Sequence, residues 1–382
     1  MIKSNLLLIV LFSLFITQAV FSQKEYNLNE LHTYEDTDGR YIFKVIAKKK
    51  KLLNGECKIL YNNYKKEYII ATFRRGMYDG LCRKYNNLQL EYEINYKEGY
   101  KNGVYKRYSR FGDLASEGTF TNDKMHGVVI TYYYSGQIES ANIYREGKLH
   151  GLCRTYTNEG KLKSEQEYTE GLANGFERRY SGETGDLIVN YNYKNGQKEG
   201  KQFCLHAGCN DEYTEDSFYI DGKMEGVYKE TYTNGRIRTS GIYKNGKKEG
   251  IWVLYDKSGQ IMWEQNFING KTEEEQKCYY PDGSLEAISN HINGEEEGLR
   301  KEYYMETGIL KSEYIFMNGL KEGRYKCYYE DGMLREEGHF ESGYEMYIKE
   351  YYRNGKLKSA KERKSDGSWD LIEQYDVNGR QL

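Results

Sequence analysis

An eight-residue pattern recurs along most of this 382-residue chain and limits what the chain can fold into. The copy at position 243 reads YKNGKKEG, and related octets begin at positions 96, 120, 144, 168, 193, 219, 267 and 316. Neighbouring copies start about 24 residues apart, and a second glycine keeps the same step at Gly112, Gly136, Gly160, Gly235 and Gly259. Repetition at this period is typical of proteins that stack one small unit, so we expect about 13 units between residues 51 and 382.

Each unit has the composition of a β-hairpin. The chain contains 40 glycines, 41 tyrosines and a single proline, which favours short strands joined by glycine turns. Asn-Gly and Asp-Gly pairs adopt the positive φ angles of tight turns between antiparallel strands. The sequence therefore predicts an all-β fold, an elongated antiparallel meander of tandem β-hairpins.

Two alternating patterns predict which side chains form the core. In the second strand of a unit, Leu or Ile follows the turn glycine by two residues and an aromatic residue comes six positions later, as in Leu114 and Phe120. In the first strand, the fifth residue after the octet is nearly always tyrosine: Tyr85, Tyr108, Tyr132, Tyr156, Tyr180, Tyr255, Tyr279, Tyr303 and Tyr328. Because residues at even spacing share a face of a strand, we expect the leucines, aromatics and strand tyrosines to form the core.

The octet, the strand tyrosine and the second turn glycine together resemble the MORN repeat. The likeness is greater to its bacterial variant of about 24 residues, found in proteins catalogued as toxin-antitoxin system antitoxins. This resemblance implies an elongated β-hairpin ribbon used for protein or lipid contact, sometimes through self-association, without catalytic residues. A repeat fold is shared by proteins of different function, so the resemblance is more specific for the fold than for the function.

The first residues differ from the repeats. Residues 1–22 place Lys3 before an apolar run and end at the small Ser22, which is the pattern of a cleavable secretory signal peptide. We expect export to the periplasm, the cell envelope or the extracellular medium. Residues 23–50 are predicted as an N-terminal leader or cap, and residues 51–382 as the repeats, with an irregular unit at 197–219.

The charges nearly cancel, with 56 basic and 58 acidic residues, so the chain has no global field for nucleic acid. The third position of the first strand nevertheless carries a candidate basic stripe: Lys58, Arg83, Lys106, Arg154, Arg178, Lys229, Lys277, Lys301 and Lys326. Such a stripe, edged by tyrosines, could hold an acidic polymer or a lipid headgroup. The favoured alternative is that the side-chain stems cover the aromatic face while their charged ends reach water and nearby glutamates.

Two further sets of residues invite a chemical interpretation. In the irregular unit, Cys204 and Cys209 flank His206, which predicts a local disulfide, with free thiols or a metal site as alternatives. The other cysteines are expected to be small buried thiols. The last position but one of the octet is acidic in the C-terminal half (Glu199, Glu225, Glu249, Glu297 and Glu322), which predicts a solvated acidic row, with cation binding as the alternative.

We find no serine, histidine and aspartate set, phosphate loop or paired carboxylates, so the sequence predicts no enzyme, metal or cofactor. The favoured hypothesis is an exported scaffold that binds an unknown protein partner at the cell envelope, with self-association as a further mode. One alternative is an antitoxin or immunity protein that neutralises a toxin. Another is a binder of acidic polymers or lipid headgroups through the basic stripe, which reversal of Lys277, Lys301 and Lys326 to glutamate would abolish.

Overall fold

The computed structural model describes residues 24–47, 51–62, 66–207 and 212–382, and it confirms the all-β prediction. Among these residues there is one 3-10 turn, Leu28–Glu30, and no α-helix. Nor do they include a helix with the length and hydropathy of a membrane span. The chain divides into two compact lobes, an N-terminal lobe of Met1–Leu172 and a C-terminal lobe of Ala173–Leu382.

The N-terminal lobe contains β1 (Lys24–Asn27), β2 (Leu31–Glu35), β3 (Tyr41–Val45), β4 (Lys51–Leu52), β5 (Gly55–Asn62), β6 (Glu67–Arg74), β7 (Met77–Asn86), β8 (Gln89–Lys97), β9 (Tyr100–Tyr108), β10 (Leu114–Thr121), β11 (Lys124–Met125), β12 (Gly127–Tyr132), β13 (Ile138–Arg145), β14 (Lys148–Leu149), β15 (Gly151–Tyr156) and β16 (Leu162–Thr169). From β5 to β16 the longer strands pair in antiparallel order, and the two-residue strands β11 and β14 pair with β10 and β13. The lobe is thus a meander of hairpins.

The C-terminal lobe contains β17 (Leu172–Tyr180), β18 (Leu187–Lys194), β19 (Gln197–Lys198), β20 (Gly200–His206), β21 (Tyr213–Ile220), β22 (Lys223–Met224), β23 (Gly226–Tyr232), β24 (Ile237–Lys244), β25 (Lys247–Tyr255), β26 (Ile261–Ile268), β27 (Lys271–Tyr279), β28 (Leu285–Ile292), β29 (Glu295–Glu296), β30 (Gly298–Tyr303), β31 (Leu310–Met317), β32 (Leu320–Lys321), β33 (Gly323–Tyr328), β34 (Leu334–Glu341), β35 (Tyr344–Tyr351), β36 (Leu357–Arg363) and β37 (Trp369–Gln374). Neighbouring strands again pair antiparallel. The predicted meander therefore holds within each lobe.

The octet forms the turn that the sequence predicts. Asn245 and Gly246 have φ angles of 52° and 79°, the left-handed values of the tight hairpin turn between β24 and β25. The second turn is wider, and Asp256 accepts hydrogen bonds at Oδ1 from the backbone amides of Ser258 and Gln260. Each hairpin repeat is therefore closed by backbone geometry that a few Asn, Asp and Gly residues supply.

Residues 24–47, which fall in the predicted leader, lie against the first repeats. The strand β1 pairs parallel with β5, and β2, β3 and β4 form a separate three-stranded sheet. Phe43 packs against Phe73 and Tyr78, with ring centroids 5.4 and 5.2 Å apart. This packing, together with Cys57 and Ile59, forms a conventional hydrophobic core at the start of the meander.

The most buried line of the repeats runs through the second residue after the octet. It includes Cys82, Tyr105, Val129, Cys153, Tyr228, Trp252 and Tyr325, all of which are buried. The strand tyrosines, predicted as core, are instead half-buried. Alternation along β12 explains the difference, since Tyr132 comes three residues after the buried Val129 and therefore lies on the other face. A one-residue bulge at Glu139 of the partner strand β13 places Tyr132 opposite Ile138.

Candidate interaction surface

The strand tyrosines and the basic stripe occupy the sheet face opposite the buried line. A carboxylate-bearing residue on a neighbouring strand lies directly across from each of these stripe residues: Lys58, Arg83, Lys106, Arg154, Lys229, Lys277, Lys301 and Lys326. In the N-terminal lobe, for example, Glu93 lies between Arg83 and Lys106. In the C-terminal lobe, Lys326 lies between Glu313 and Glu337. The basic stripe is therefore one half of a row of alternating charge.

Several of these neighbours form ion pairs. The Arg83 Nε lies 2.8 Å from Glu93 Oε1, and this hydrogen bond lowers the pKa of the Glu93 carboxyl. Lys58 Nζ lies 2.9 Å from Glu25, and Lys277 Nζ lies 2.6 Å from Glu275. Arg178 contacts an aromatic ring, since its guanidinium carbon lies 4.3 Å from the centroid of the Phe176 ring. The structure thus places carboxylates of the protein itself beside the predicted stripe. The hypothesis that the stripe binds an acidic ligand did not include them.

The strand tyrosines form hydrogen bonds with the carboxylates of this row. The hydroxyl groups of Tyr108, Tyr132 and Tyr279 donate hydrogen bonds to Glu93, Glu117 and Glu264, at 3.0, 2.7 and 2.7 Å. Burial, and then the bond to Glu117, raise the pKa of Tyr132 to about 12. The tyrosines therefore fix the carboxylates of the row in place, a role that the spacing alone did not reveal.

One section of the same face is apolar and exposed. Val227 lies directly across from Ile242, and Phe218 and Ile251 flank this pair on β21 and β25. Val227 and Ile251 are 69% and 66% exposed, which is high for side chains of this size inside a sheet. We call these four residues the apolar patch. Because they come from adjacent strands, they form one continuous surface of the kind that marks sites of protein contact.

A cleft of about 580 Å³ adjoins the apolar patch. Phe218 and Val227 line it together with Lys201, Asp216 and Lys229. The cleft therefore combines apolar walls with charged groups of both signs, which fits a polypeptide surface better than a purely anionic ligand.

The repeats are joined at the second turn by tyrosine side chains. Tyr280 Oη donates to the backbone carbonyl of Tyr303, 2.8 Å away in the following repeat. The same contact is made by Tyr133, Tyr232, Tyr304, Tyr329 and Tyr352. A hydrogen bond of this kind satisfies a half-buried hydroxyl and fixes the spacing of adjacent hairpins.

Replacing Tyr280 with phenylalanine is expected to lower the free energy of unfolding by about 0.5–1.5 kcal/mol, because only this hydrogen bond is removed. Urea denaturation measures the change. The matched control is Tyr134→Phe. The Tyr134 side chain is exposed, so removing its hydroxyl group should leave the free energy of unfolding unchanged. Equal losses for the two variants would contradict the role given to Tyr280.

The acidic row at the octet joins the repeats at the opposite edge of the C-terminal lobe. Glu225 and Glu249 accept hydrogen bonds from the turn amides of Asn245 and Asn269, at 2.7 and 2.9 Å. Glu199, Glu297 and Glu322 make the equivalent contacts. These carboxylates bind backbone amides of the next turn, which accounts for the row without a bound cation.

The cysteines and histidines were the other candidates for chemistry. Cys209 lies outside the described residues, and so does the predicted disulfide with Cys204. Cys57, Cys82, Cys153 and Cys327 are buried, as expected, while Cys204 and Cys278 are half-buried. His206 Nε2 lies 3.0 Å from Glu215 Oε2. Within the described ranges no three His, Cys, Asp or Glu side chains are grouped so as to hold a metal ion.

His291 is buried, and its Nδ1 has no hydrogen-bond partner among the described residues. Burial lowers the pKa of its imidazole below the ordinary value of 6.5, and the nearby Glu296 only partly opposes this. In the unfolded chain the same imidazole takes up a proton as the pH falls through that ordinary value. The folded state resists protonation, so the stability contributed by neutral His291 is lost as the pH falls.

We therefore expect the free energy of unfolding to fall between about pH 7.5 and 5.5, and to fall less in a His291→Phe variant. Phenylalanine occupies the equivalent position at Phe267, Phe316 and Phe340, so the variant keeps a residue that the repeat accepts. Urea midpoints at several pH values provide the measurement. An identical pH dependence in both proteins would show that His291 is not the titrating group.

Comparison with known proteins adds one family match. The model described as MORN repeat variant matches residues 101–122, 125–146, 149–170, 275–293, 321–342 and 344–364. No curated protein matches the chain. A solved structure, the crystal structure of TcdB2-TccC3 without hypervariable C-terminal region, is 11% identical, with 92% of this chain and 19% of that chain covered and a TM-score of 0.16. That score is too low to support an argument. Six segments of this chain are thus similar to the MORN repeat variant.

Proposed function

We propose that this chain is an exported, non-enzymatic repeat scaffold that mediates protein–protein contact at the cell envelope. The observation that carries the proposal is the apolar patch, in which Val227 and Ile251 are exposed on adjacent hairpins. The match to a family of repeat scaffolds supports it. Export rests on the signal-like residues 1–22, which lie outside the described residues.

The apolar patch is favoured over the charged row as the contact surface. The cations of the row already face carboxylates, so an anionic ligand would have to displace them. The patch residues, in contrast, have no covering layer and would gain about 25 cal/mol for each Å² of apolar surface removed from water. Neither the family match nor the geometry adds support for neutralisation of a toxin.

The test is affinity purification from the native cell envelope after crosslinking, with the full chain and a Val227→Lys, Ile251→Glu variant. Lysine and glutamate occupy the equivalent positions at Lys201 and Glu275, so the variant should fold. We expect proteins that copurify with the unmodified chain to be lost from the variant. Identical sets of proteins, or recovery of the chain with its first 22 residues from the cytoplasm, would refute the proposal.

Reversal of Lys277, Lys301 and Lys326 to glutamate serves as the comparison. If the patch is the contact surface, the crosslinked partners remain after this reversal, whereas their loss would move the site to the charged row. The experiment therefore shows whether the apolar patch or the charged row binds the partner.

A further inference from the structure

Two neighbouring turns of the N-terminal lobe carry exposed aromatic side chains. Phe111 and Tyr134 are 65% and 80% exposed, and their ring centroids lie 6.5 Å apart at an interplanar angle of 70°. The Arg110 guanidinium carbon lies 4.7 Å from the Phe111 centroid. Arg107 is exposed beside them and lines the same cleft as Arg110 and Tyr134. We call Arg107, Arg110, Phe111 and Tyr134 the turn cluster.

The fold does not require these aromatic residues. Sister turns have Ser135, Glu159 or Ser258 at the position of Phe111, and Asn158 or Lys257 at the position of Tyr134. The turns nevertheless close in the same way, since Gly112 donates to Ser109 at 3.0 Å and Gly259 donates to Asp256 at 3.0 Å. Two large rings in adjacent turns are therefore exposed to water although the turns close without them. Exposed aromatic side chains that do not stabilise the fold indicate a role in binding.

A cleft of about 520 Å³ separates the two turns. Its walls include Leu114 and Tyr132 together with Arg107, Arg110 and Tyr134 of the turn cluster. Neither Arg107 nor Arg110 lies within ion-pairing distance of a carboxylate in the described part of the chain. The nearby acids are engaged by hydroxyl groups, since Asp113 accepts from Ser109 at 3.4 Å and Glu139 accepts from Thr131 at 3.2 Å. Asp113 and Glu139 also line the cleft, so it holds two guanidinium groups that form no ion pair with these two carboxylates.

We propose that the turn cluster binds a carboxylate-bearing segment of a partner polypeptide. The two guanidinium groups donate hydrogen bonds to its carboxylates, and the rings contact an adjacent aromatic or aliphatic side chain. The nearly perpendicular rings form a wedge, not the flat platform on which a sugar or base stacks. This inference rests on the proposed scaffold function and specifies the partner chemistry of a second surface.

Binding of a fluorescein-labelled random copolymer of glutamate and tyrosine to the purified full chain tests the proposal by fluorescence anisotropy. We expect saturable binding that weakens with salt, and a loss of about tenfold in affinity in the Phe111→Ser, Tyr134→Asn variant and in the Arg107→Gln, Arg110→Gln variant. Both aromatic replacements are residues found in sister turns. Circular dichroism and the urea midpoint verify that each variant folds.

A Lys257→Asn, Ser258→Asn variant in a sister turn is the matched control and should bind like the unmodified chain. The proposal is overturned if the unmodified chain does not bind the copolymer, if both cluster variants stay within about twofold of it, or if alginate, an anionic glycan, binds instead. The apolar-patch variant should bind the copolymer normally. Because this assay uses purified components, its outcome is independent of whether envelope partners are captured through the patch.

Discussion

Replacing Trp252 with alanine is expected to lower the free energy of unfolding of the C-terminal lobe by about 3–5 kcal/mol. Trp252 is 1% exposed and contacts the rings of Tyr228 and Tyr243, with centroids 5.4 and 5.0 Å away. Its Nε1 donates to the backbone carbonyl of Ile242 at 3.2 Å. The variant removes both the ring packing and this hydrogen bond, and it leaves a cavity among the side chains that pack against Trp252.

Hydrogen exchange on the intact chain measures the loss repeat by repeat, and urea denaturation measures it for the whole. The protection of the β23 to β26 amides from exchange should fall most. Each repeat contacts only its neighbours, so the loss of stability is greatest near the substituted residue. The control is Trp369→Ala, since Trp369 is partly exposed in β37 and its replacement should cost little. Equal losses from the two tryptophans would contradict the assignment of Trp252 to the core.

Replacing Gly338 with alanine is the second large effect, with an expected loss of about 3 kcal/mol. An added Cβ would lie 2.3 Å from the carbonyl oxygen of Tyr347 and 2.5 Å from Cε1 of Tyr325. The ring of Tyr325 covers the glycine from the neighbouring strand, and the Tyr347 oxygen belongs to the backbone. The strand itself must therefore move to admit a single methyl group.

Gly118→Ala provides a graded comparison for this prediction. There the added Cβ would meet side-chain atoms at 2.8 and 2.9 Å, with the backbone oxygen of Val128 at 3.3 Å, so side chains can give way and a smaller loss is expected. Urea midpoints of the two variants decide the order. A larger loss at Gly118 than at Gly338 would show that the backbone contact is not the controlling one.

The architecture could be predicted because its signals are local. Asn245 and Gly246 specify their own turn, and the recurrence of the octet specifies that the turn is repeated. The position of the core could not be predicted in the same way. It depends on which face of each strand is covered, since the buried Val129 and the half-buried Tyr132 lie on opposite faces of β12.

The candidate surface was predicted only in part. The third-position cations were identified, but the carboxylates that lie opposite them come from other strands, and their alignment depends on the pairing register. Of the buried line, the sequence identified only cysteines such as Cys82 and Cys153, for a different reason. Its occupants range from Val129 to Trp252 and Gln202, so no residue type marks the position, and burial there follows from geometry that the repeat imposes.

The hydrogen bonds that join successive repeats have a consequence for the history of the chain. At one edge Glu225 reaches a turn amide of the next repeat, and at the other Tyr232 reaches a carbonyl, so each joint ends on the main chain. A main-chain partner is present whatever side chains the next repeat carries. At these joints whole repeats can therefore be duplicated, lost or exchanged during evolution without a matching side-chain change in the next repeat, and the length of the array can vary faster than its fold.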